Sequence, residues 1–235
     1  MSPRTRVSPR TKAIAVGGVV LLTAAALAAE APPSAAARDA SEGSVSASEL
    51  LDELESCERI SDGHYRTDAD EPAEVAICEG DDVVFWTADL DIDCDGRSSE
   101  DCNEDTDPYY QSETAFQEPD GDQLDPATLP FIVVPGPSDI WTYSEYGISG
   151  GSVAAVIYKG RVRYAVVGDV GPSGLIGEAS YALADQLGID PDPEDGGTDS
   201  GVTYIVFRDT KVFPIQYHKK AVTVGNKRAR KFVGR

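Results

Sequence analysis

Residues 152–169, "SVAAVIYKGRVRYAVVGD", carry the strongest structural signal in the chain. Two runs rich in valine, alanine and tyrosine flank Lys159-Gly160, and a two-residue connection of this kind is typical of a tight β-hairpin. Similar runs occur elsewhere: "LPFIVVPG" at 129–136 predicts a buried strand ended by Pro135, and "GVTYIVF" at 201–207 predicts another. The core is therefore predicted to be built from β-strands.

The remaining segments add short elements and long loops to this core. Alternating apolar residues predict a strand in "DDVVFWTADLDIDC" at 81–94, and "KVFPIQY" at 211–217 also has strand character. Helical spacing and caps predict short helices at 46–57 and 177–189. Residues 96–128 are acidic and poor in apolar residues, so they are predicted as a long loop. The fold class is thus mostly β, a small closed barrel with a few short helices and long acidic loops.

The first residues have the order of a secretory signal peptide. Four cations in the first twelve residues precede an alanine-rich apolar run at 13–29, and Ala35 and Ala37 occupy the small positions of a cleavage site. An uncleaved membrane anchor is the alternative, disfavoured by a short, alanine-rich run. We therefore predict a signal peptide at 1–37, a polar linker at 38–47, a single domain at 48–235 and export from the cell.

The net charge excludes one class of partner. It is −21 for the whole chain and −24 once residues 1–37 are removed, because they carry four cations and Glu30. Nucleic-acid binding requires a basic surface and is not expected. A cationic partner would be steered towards so acidic a surface, although acidity also serves solubility alone. The basic tail at 226–235 is predicted as a solvated terminus; a short helix that touches a cell wall or folds against the acidic body is the alternative.

Four cysteines in an exported chain predict two disulfides, Cys57–Cys78 and Cys94–Cys102 if nearest neighbours pair. A zinc site is disfavoured because neither pair has close ligand spacing and the chain has only two histidines. The same scarcity argues against a Ser-His-Asp or Cys-His centre. No metal or cofactor is expected.

Two carboxylates, Asp169 and Glu178, stand in the glycine-rich and aliphatic run "VVGDVGPSGLIGEAS" at 166–180. Asp169 is predicted at the barrel rim, Glu178 at the start of the helix, and the turn between them can bring both carboxyl groups together. Two such acids flanking one bond perform glycoside hydrolysis. The structural alternative is that Asp169 caps the turn and Glu178 the helix. A helix N-terminus would lower the pKa of Glu178, whereas burial and a neighbouring acid would raise it. The second effect can be the larger of the two.

A strip of four aspartates occurs in "DLDIDCDG" at 89–96. With Asp91 as position 1 it imitates the start of an EF-hand loop, but position 12 is then Cys102 rather than glutamate, and the flanks are strand-like. Calcium binding of the EF-hand type is therefore disfavoured. On a strand these aspartates share one face, either as solvated surface or as a site for ammonium groups.

Four segments of the chain, taken together, resemble the secreted chitosanases of glycoside hydrolase family 75. They are "DLDIDCDG", "VAAVIYKGRVRYAVVGD", "IGEASYALADQLGI" and "GVTYIVF". The resemblance implies an inverting endo-hydrolase whose essential acids are, by position, Asp169 and Glu178. Fungal members have a longer segment between the two acids than the "VGPSGL" of this chain. A second likeness, to double-psi β-barrels such as rare lipoprotein A and the expansins, implies a six-stranded double-psi-like barrel.

These resemblances imply a secreted, extracellular endo-chitosanase that hydrolyses the β-1,4 bonds of chitosan, a cationic polysaccharide, without metal or cofactor. Glu178 is expected as general acid and Asp169 as base, although the sequence does not order their pKa values and the roles can be exchanged. We expect a monomer without stable membrane association after signal cleavage. The expected substrate-binding residues are Asp91, Asp93, Asp95, Tyr109, Tyr110, Trp141 and Tyr143. Trp86 is a further stacking candidate or a core residue.

Two other functions remain open at this stage. The barrel likeness and the basic tail are compatible with a lytic or hydrolytic enzyme of peptidoglycan. They are also compatible with a non-catalytic, expansin-like protein that binds a glycan without cleaving it.

Overall fold

The described residues form eight strands, three α-helices and one short 3-10 helix, Tyr143–Tyr146. The computed structural model describes residues 41–54 and 56–235, and the predicted signal peptide lies outside them. The strands are β1 Glu58–Arg59, β2 Cys78–Gly80, β3 Val83–Asp93, β4 Phe131–Pro135, β5 Val153–Tyr158, β6 Arg161–Gly171, β7 Glu178–Ser180 and β8 Thr198–Phe207. The helices are α1 Ala47–Asp52, α2 Tyr181–Leu187 and α3 His218–Phe232. Among the described residues, no helix is long and apolar enough to cross a membrane.

Six of the strands close into a barrel in the order β3-β7-β4-β6-β5-β8, with β8 returning to β3. The β3/β7 and β4/β6 pairs are parallel, and the other four pairs around the ring are antiparallel. Strands β1 and β2 extend the sheet beyond β3. The predicted mostly β fold with a six-stranded barrel is confirmed.

The β5/β6 hairpin turns where the sequence predicted. Lys159 and Gly160 connect the strands with φ of 45° and 81°, so both central residues adopt the left-handed conformation that two-residue hairpin loops favour. A side chain at Gly160 would have open space, so the turn selects glycine for its φ rather than for room.

The side chains of strand β3 point alternately into the interior of the barrel and to its outer face. Trp86 and Leu90 belong to the cluster that fills the barrel, whereas Phe85 belongs to a second hydrophobic cluster that covers the outside. Trp86 is 1% exposed and stacks on Tyr204 with 5.3 Å between ring centroids, so it is a core residue. Because side chains alternate along a strand, the odd-numbered aspartates of β3 project outside the barrel.

Both predicted disulfides are present, Cys57–Cys78 and Cys94–Cys102. The first joins the segment after α1 to β2. The second closes the beginning of the long loop at 96–128, which contains neither a helix nor a named strand in the described structure. The loop is therefore fixed at the end of β3 that carries the aspartates.

Two predictions about the C-terminal region are wrong. Residues 211–217 form a turn-rich connection in the described structure rather than a strand, since Pro214 has no N–H to donate to a ladder. The favoured solvated terminus is the second error, because the basic tail is the end of α3, which packs on β5 and β6. The alternative of a helix folded against the acidic body is the one the structure contains. Lys231 and Arg228 of α3 pair with Asp82 of the acidic body.

Residues 41–47, within the segment predicted as a linker, contact the barrel. The Glu42 amide donates to the Val162 carbonyl at 3.1 Å, and Val45 is fully buried. Helix α1 then begins with a capping box formed by Ser46 and Glu49.

Replacing Gly225 of α3 by alanine tests whether this helix is docked as described. A Cβ atom at position 225 would lie 2.2 Å from the ring of Tyr164, which is fully buried and cannot move aside. We expect Gly225→Ala to lower the free energy of unfolding by about 1–3 kcal/mol. An undocked helix would instead gain up to about 1 kcal/mol from the higher helix propensity of alanine. Lys227→Ala is the control within the same helix, and urea denaturation provides the measurement.

Candidate active site

A row of four residues crosses the outer face of the barrel and contains both predicted catalytic acids. Asp91 of β3 is the register partner of Glu178 of β7, and Val133 of β4 is the register partner of Asp169 of β6. Since β7 pairs with β4 through Ile132 and Ala179, Glu178 stands opposite Val133. The two acids are therefore two strands apart, about 10 Å between Cα atoms at the usual strand spacing.

The position of Glu178 differs from the prediction. It is the first residue of β7, and Ser180 is the cap of α2, accepting from the Leu183 amide. Glu178 therefore lies before the helix rather than at its first turn, and the expected dipole effect on its pKa does not apply. The prediction failed because the three-residue strand is too short to show a period.

Asp169 lies inside β6 rather than after it. The pairing of β4 with β6 is irregular between Ile132 and Val133, so that β6 has one extra residue, Gly168, just before Asp169. A bulge of this kind redirects the following side chain and is common beside active sites. The predicted rim position is therefore replaced by a position on the outer wall of the barrel.

Two backbone donors hold the carboxylate of Asp169. Its Oδ1 accepts from the amides of Ala115 and Val170, both at 2.7 Å. Burial raises the pKa of Asp169, which is 6% exposed, and the two amides oppose that shift. Ala115 belongs to the long loop, so the loop that the sequence left without structure supplies a contact to the site.

The surroundings of Glu178 favour its protonated form. Burial, followed by repulsion from Asp91, Asp169 and Asp95, raises the pKa of Glu178 to about 7. Its carboxylate lies over Gly171, where a Cβ atom would come within 2.5 Å of Oε2. Glycine at this position therefore gives the glutamate room to point along the wall of the site.

A pocket of about 220 Å³ surrounds the two acids. Its other acidic lining residues are Asp93, Asp95 and Asp107. The carboxylate oxygens of Asp93, Asp95 and Asp169 lie within 4.8 Å of one another, close enough for a cation. Burial raises the pKa of Asp93, with repulsion from Asp169 second, and raises that of Asp95 to about 6.

The predicted aromatic residues divide into two groups. Tyr109 lines the pocket and is 84% exposed, and the Tyr110 hydroxyl donates to the Gly96 carbonyl at 2.8 Å. Trp141, by contrast, is 3% exposed in the core, and Tyr143 packs against that core. Neither lines the pocket of the two acids, and Trp141 lines a separate surface depression.

Sequence reasoning missed two residues that line the pocket, and it named a third, beside the pocket, only as part of the aspartate strip. Val133 forms the floor between the acids, Asp107 lines the pocket from the long loop, and Asp89 lies under Gly177 at the edge of the row. Asp89 was visible as the first aspartate of the strip. Nothing in the local pattern marks Val133 or Asp107, because only the register and the course of the loop bring them to the pocket.

The family described as "Fungal chitosanase of glycosyl hydrolase group 75" matches residues 90–233. The chain belongs to glycoside hydrolase family 75. The matched segment begins within β3 and ends after α3, so it includes both acids of the row, the long loop and the pocket. The predicted family is therefore confirmed, together with its class, the glycoside hydrolases.

Curated relatives in family 75 are named endo-chitosanases. Endo-chitosanase B of Aspergillus oryzae (strain ATCC 42149 / RIB 40) is 32% identical over 136 residues, covering 53% of this chain and 55% of the relative. Endo-chitosanase C of Aspergillus oryzae is 34% identical over 130 residues, covering 54% and 32%. The chain spans about half the length of the first curated relatives it matches.

Among solved structures, the Streptomyces papain inhibitor (SPI) aligns with 53% of this chain and 94% of its own, at a TM-score of 0.32 and 15% identity. A TM-score this low supports no conclusion about fold or function.

The raised pKa of Glu178 predicts that Glu178→Gln stabilises the protein at alkaline pH. The folded state binds the proton more tightly than the unfolded state, so stability falls as pH rises from 4.5 towards 7 and stays lower above it. The gain in unfolding free energy from Gln should therefore be near zero at pH 4.5 and reach up to about 3 kcal/mol at pH 8.

Denaturation at both pH values measures this difference, with the exposed Glu145→Gln as control. An equal effect of Glu178→Gln at pH 4.5 and pH 8 would contradict the raised pKa.

Proposed function

We propose that the protein is a secreted endo-chitosanase that hydrolyses β-1,4 bonds between glucosamine units with inversion at the anomeric carbon. The observation that carries the proposal is the row Asp91–Glu178–Val133–Asp169, which combines a carboxyl group of raised pKa with a carboxylate held by two amides. Family membership and the printed names of the relatives support the substrate.

In the proposed reaction Glu178 is the general acid. Its pKa of about 7 leaves it protonated in mildly acidic solution, so that it can donate a proton to the glycosidic oxygen as the bond breaks. Asp91, its partner on the next strand, contributes to that pKa by repulsion. Replacing Asp91 by a neutral residue would therefore lower the pKa of Glu178 and reduce its protonated fraction near neutral pH.

Asp169 is the proposed general base. The amides of Ala115 and Val170 both bind Oδ1 and favour the ionised form, which leaves the rest of the carboxylate to orient water. Inverting hydrolases separate their two carboxyl groups by about 6.5–9.5 Å, which leaves room for a water between base and sugar. The two acids stand two strand spacings apart, about 10 Å between Cα atoms, with Val133 between them, and this spacing supports the range.

The acidic pocket suits a substrate with ammonium groups. Asp93 and Asp95 stand beside Asp169, and a protonated glucosamine unit would relieve the repulsion among them. Tyr109 offers the exposed ring at the edge of the pocket, and we assign sugar stacking to it rather than to the buried Trp141. Export rests on the signal-peptide pattern at 1–37 and is part of the proposal.

Glu178→Gln and Asp169→Asn should each reduce the release of reducing ends from chitosan by about 10²–10⁴-fold, because each removes one proton transfer. Glu145→Gln, at an exposed site elsewhere, should stay within about twofold of the wild type. Retained turnover in either site variant would contradict the assignment. Activity on peptidoglycan without activity on chitosan would favour the cell-wall enzyme considered from the sequence.

The pH dependence of the wild type follows from the pKa of the acid. With a soluble chitooligosaccharide, kcat/KM should fall about tenfold per pH unit above pH 7, as Glu178 loses its proton. It should also fall at acid pH as Asp169 becomes protonated, since the pKa of Asp169 is itself raised. A profile that rises through pH 7 would contradict the role of Glu178.

Inversion makes a separate prediction. Cleavage of a β-linkage by direct attack of water yields the α-anomer first, which proton NMR detects before mutarotation. Initial release of the β-anomer would show a covalent intermediate and would turn Asp169 from base into nucleophile.

A further inference from the structure

A second group of three carboxylates lies beside the row but outside the pocket of the two acids. Oxygens of Asp68, Asp89 and Asp91 all lie within 4.8 Å of one another. Asp68 and Asp91 are exposed, whereas Asp89 is 3% exposed. Asp68 and Asp89 precede the segment matched by family 75, so that match does not assign this group.

Asp89 provides an observation independent of the clustering. Its Oδ1 is buried and has no hydrogen-bond partner within the described part of the chain. Desolvating a carboxylate without a partner is costly, and three acids with oxygens within 4.8 Å of one another add repulsion to that cost. A stable arrangement therefore requires a compensating positive charge or a proton.

The backbone around Asp89 is built to accept its carboxylate. Gly177 covers it with φ of +116°, and a Cβ atom at that position would lie 1.7 Å from Oδ1. The Gly177 carbonyl also accepts from the Asp91 amide at 2.8 Å, which fixes the cover to β3. The closeness of Gly177 shows that the carboxylate is held in place rather than left to turn towards solvent.

Asp68 is brought to the same place by a separate segment. Arg66 and Leu175 form a parallel bridge, in which the Ile176 amide donates to the Arg66 carbonyl at 3.0 Å. The loop that carries Asp68 is thereby tied to the segment leading into Glu178. Two distant parts of the chain thus supply acids to one point.

We propose that Asp68, Asp89 and Asp91 form a binding site for a divalent cation of the calcium class. Calcium accepts six to eight oxygen ligands in flexible geometry, so three carboxylates of differing exposure and several waters suit it. Bound there, it would hold the loop at Asp68 against β3, one strand away from Glu178. This site uses Asp91 but not the EF-hand spacing that the sequence imitates.

Thermal unfolding of the chelator-treated wild type, without any glycan, tests the site independently of the proposed chitosanase activity. Extracellular calcium modules bind with Kd of about 10⁻⁴–10⁻³ M, so 10 mM CaCl₂ should raise Tm by about 3–10 °C. NaCl at equal ionic strength controls for general screening of so acidic a protein. A rise no larger than that given by NaCl would overturn the proposal.

Three matched substitutions locate the ion. Asp68 is exposed, so Asp68→Asn should fold, but the rise in its Tm with calcium should shrink to the rise given by NaCl. Asp52→Asn, an exposed acid of α1, should keep the full response. Asp95→Asn distinguishes the neighbouring group of Asp93, Asp95 and Asp169: loss of the response there, with Asp68→Asn unaffected, would place the ion in the pocket and overturn this assignment.

Terbium luminescence gives a second readout. The Tyr204 hydroxyl donates to the Asp89 carbonyl at 2.8 Å, so excitation of tyrosine should sensitise a lanthanide bound at Asp89. Calcium should displace the terbium, and Asp68→Asn should abolish the sensitised signal. Stabilisation by glucosamine hydrochloride that depends on Asp68, without any response to calcium, would show an ammonium site and contradict a metal site.

Discussion

The barrel is closed through a strand of three residues, and the site depends on that closure. Strand β7 lies between β3 and β4, and it pairs with β4 through a single residue pair, Ile132 and Ala179. The buried Ser180 hydroxyl reinforces this junction, since it accepts from the Phe131 amide and donates to the Leu129 carbonyl, both at 2.9 Å, while also accepting from the first turn of α2. If β7 were displaced, Glu178 would lose Asp91 on one side and Val133 on the other. The same short strand therefore completes the fold and sets the spacing of the two acids.

The site is held at an energetic cost that the rest of the barrel has to offset. Glu178, Asp89, Asp93 and Asp169 all have pKa values raised by burial, in most cases with a further contribution from a neighbouring acid. Concentrating like charges on a wall opposes folding, whereas the filled interior and the α3-covered outer face supply the compensating hydrophobic burial. The buried carboxylates also require glycine beside them, because Gly171 and Gly177 each leave room for a carboxylate where a side chain would not fit. The arrangement is what an acid catalyst requires, since an ordinary exposed glutamate would be ionised near neutrality.

Much of this could be predicted from the sequence wherever the pattern is local. The β5/β6 hairpin follows from its glycine turn, β3 from its alternation, and the two disulfides from the even number and order of the cysteines in a chain predicted to be exported. Asp169 and Glu178 were predicted as a pair, but their environment was not: the Gly168 bulge and the pairing of β7 with both β3 and β4 depend on strand register over long distances. The docking of α3 was an alternative that the sequence did not favour, because its many cations hide the small residues, such as Gly225, that contact Tyr164. The helical period and the charge of α3 describe its own surface, but only the complete fold determines which strands pack against it.

The central claim is that, in the cation-free protein, burial and the charge of Asp91 raise the pKa of Glu178 to about 7. Carbon-13 NMR titration of the glutamate side-chain carboxyl groups in chelator-treated protein, assigned to Glu178 by comparison with Glu178→Gln, tests it most directly. The structure predicts a midpoint of about 7 for Glu178, and a lower midpoint in Asp91→Asn. A midpoint for Glu178 at or below its ordinary value of 4.5 would contradict the account, because the residue could not then act as the acid.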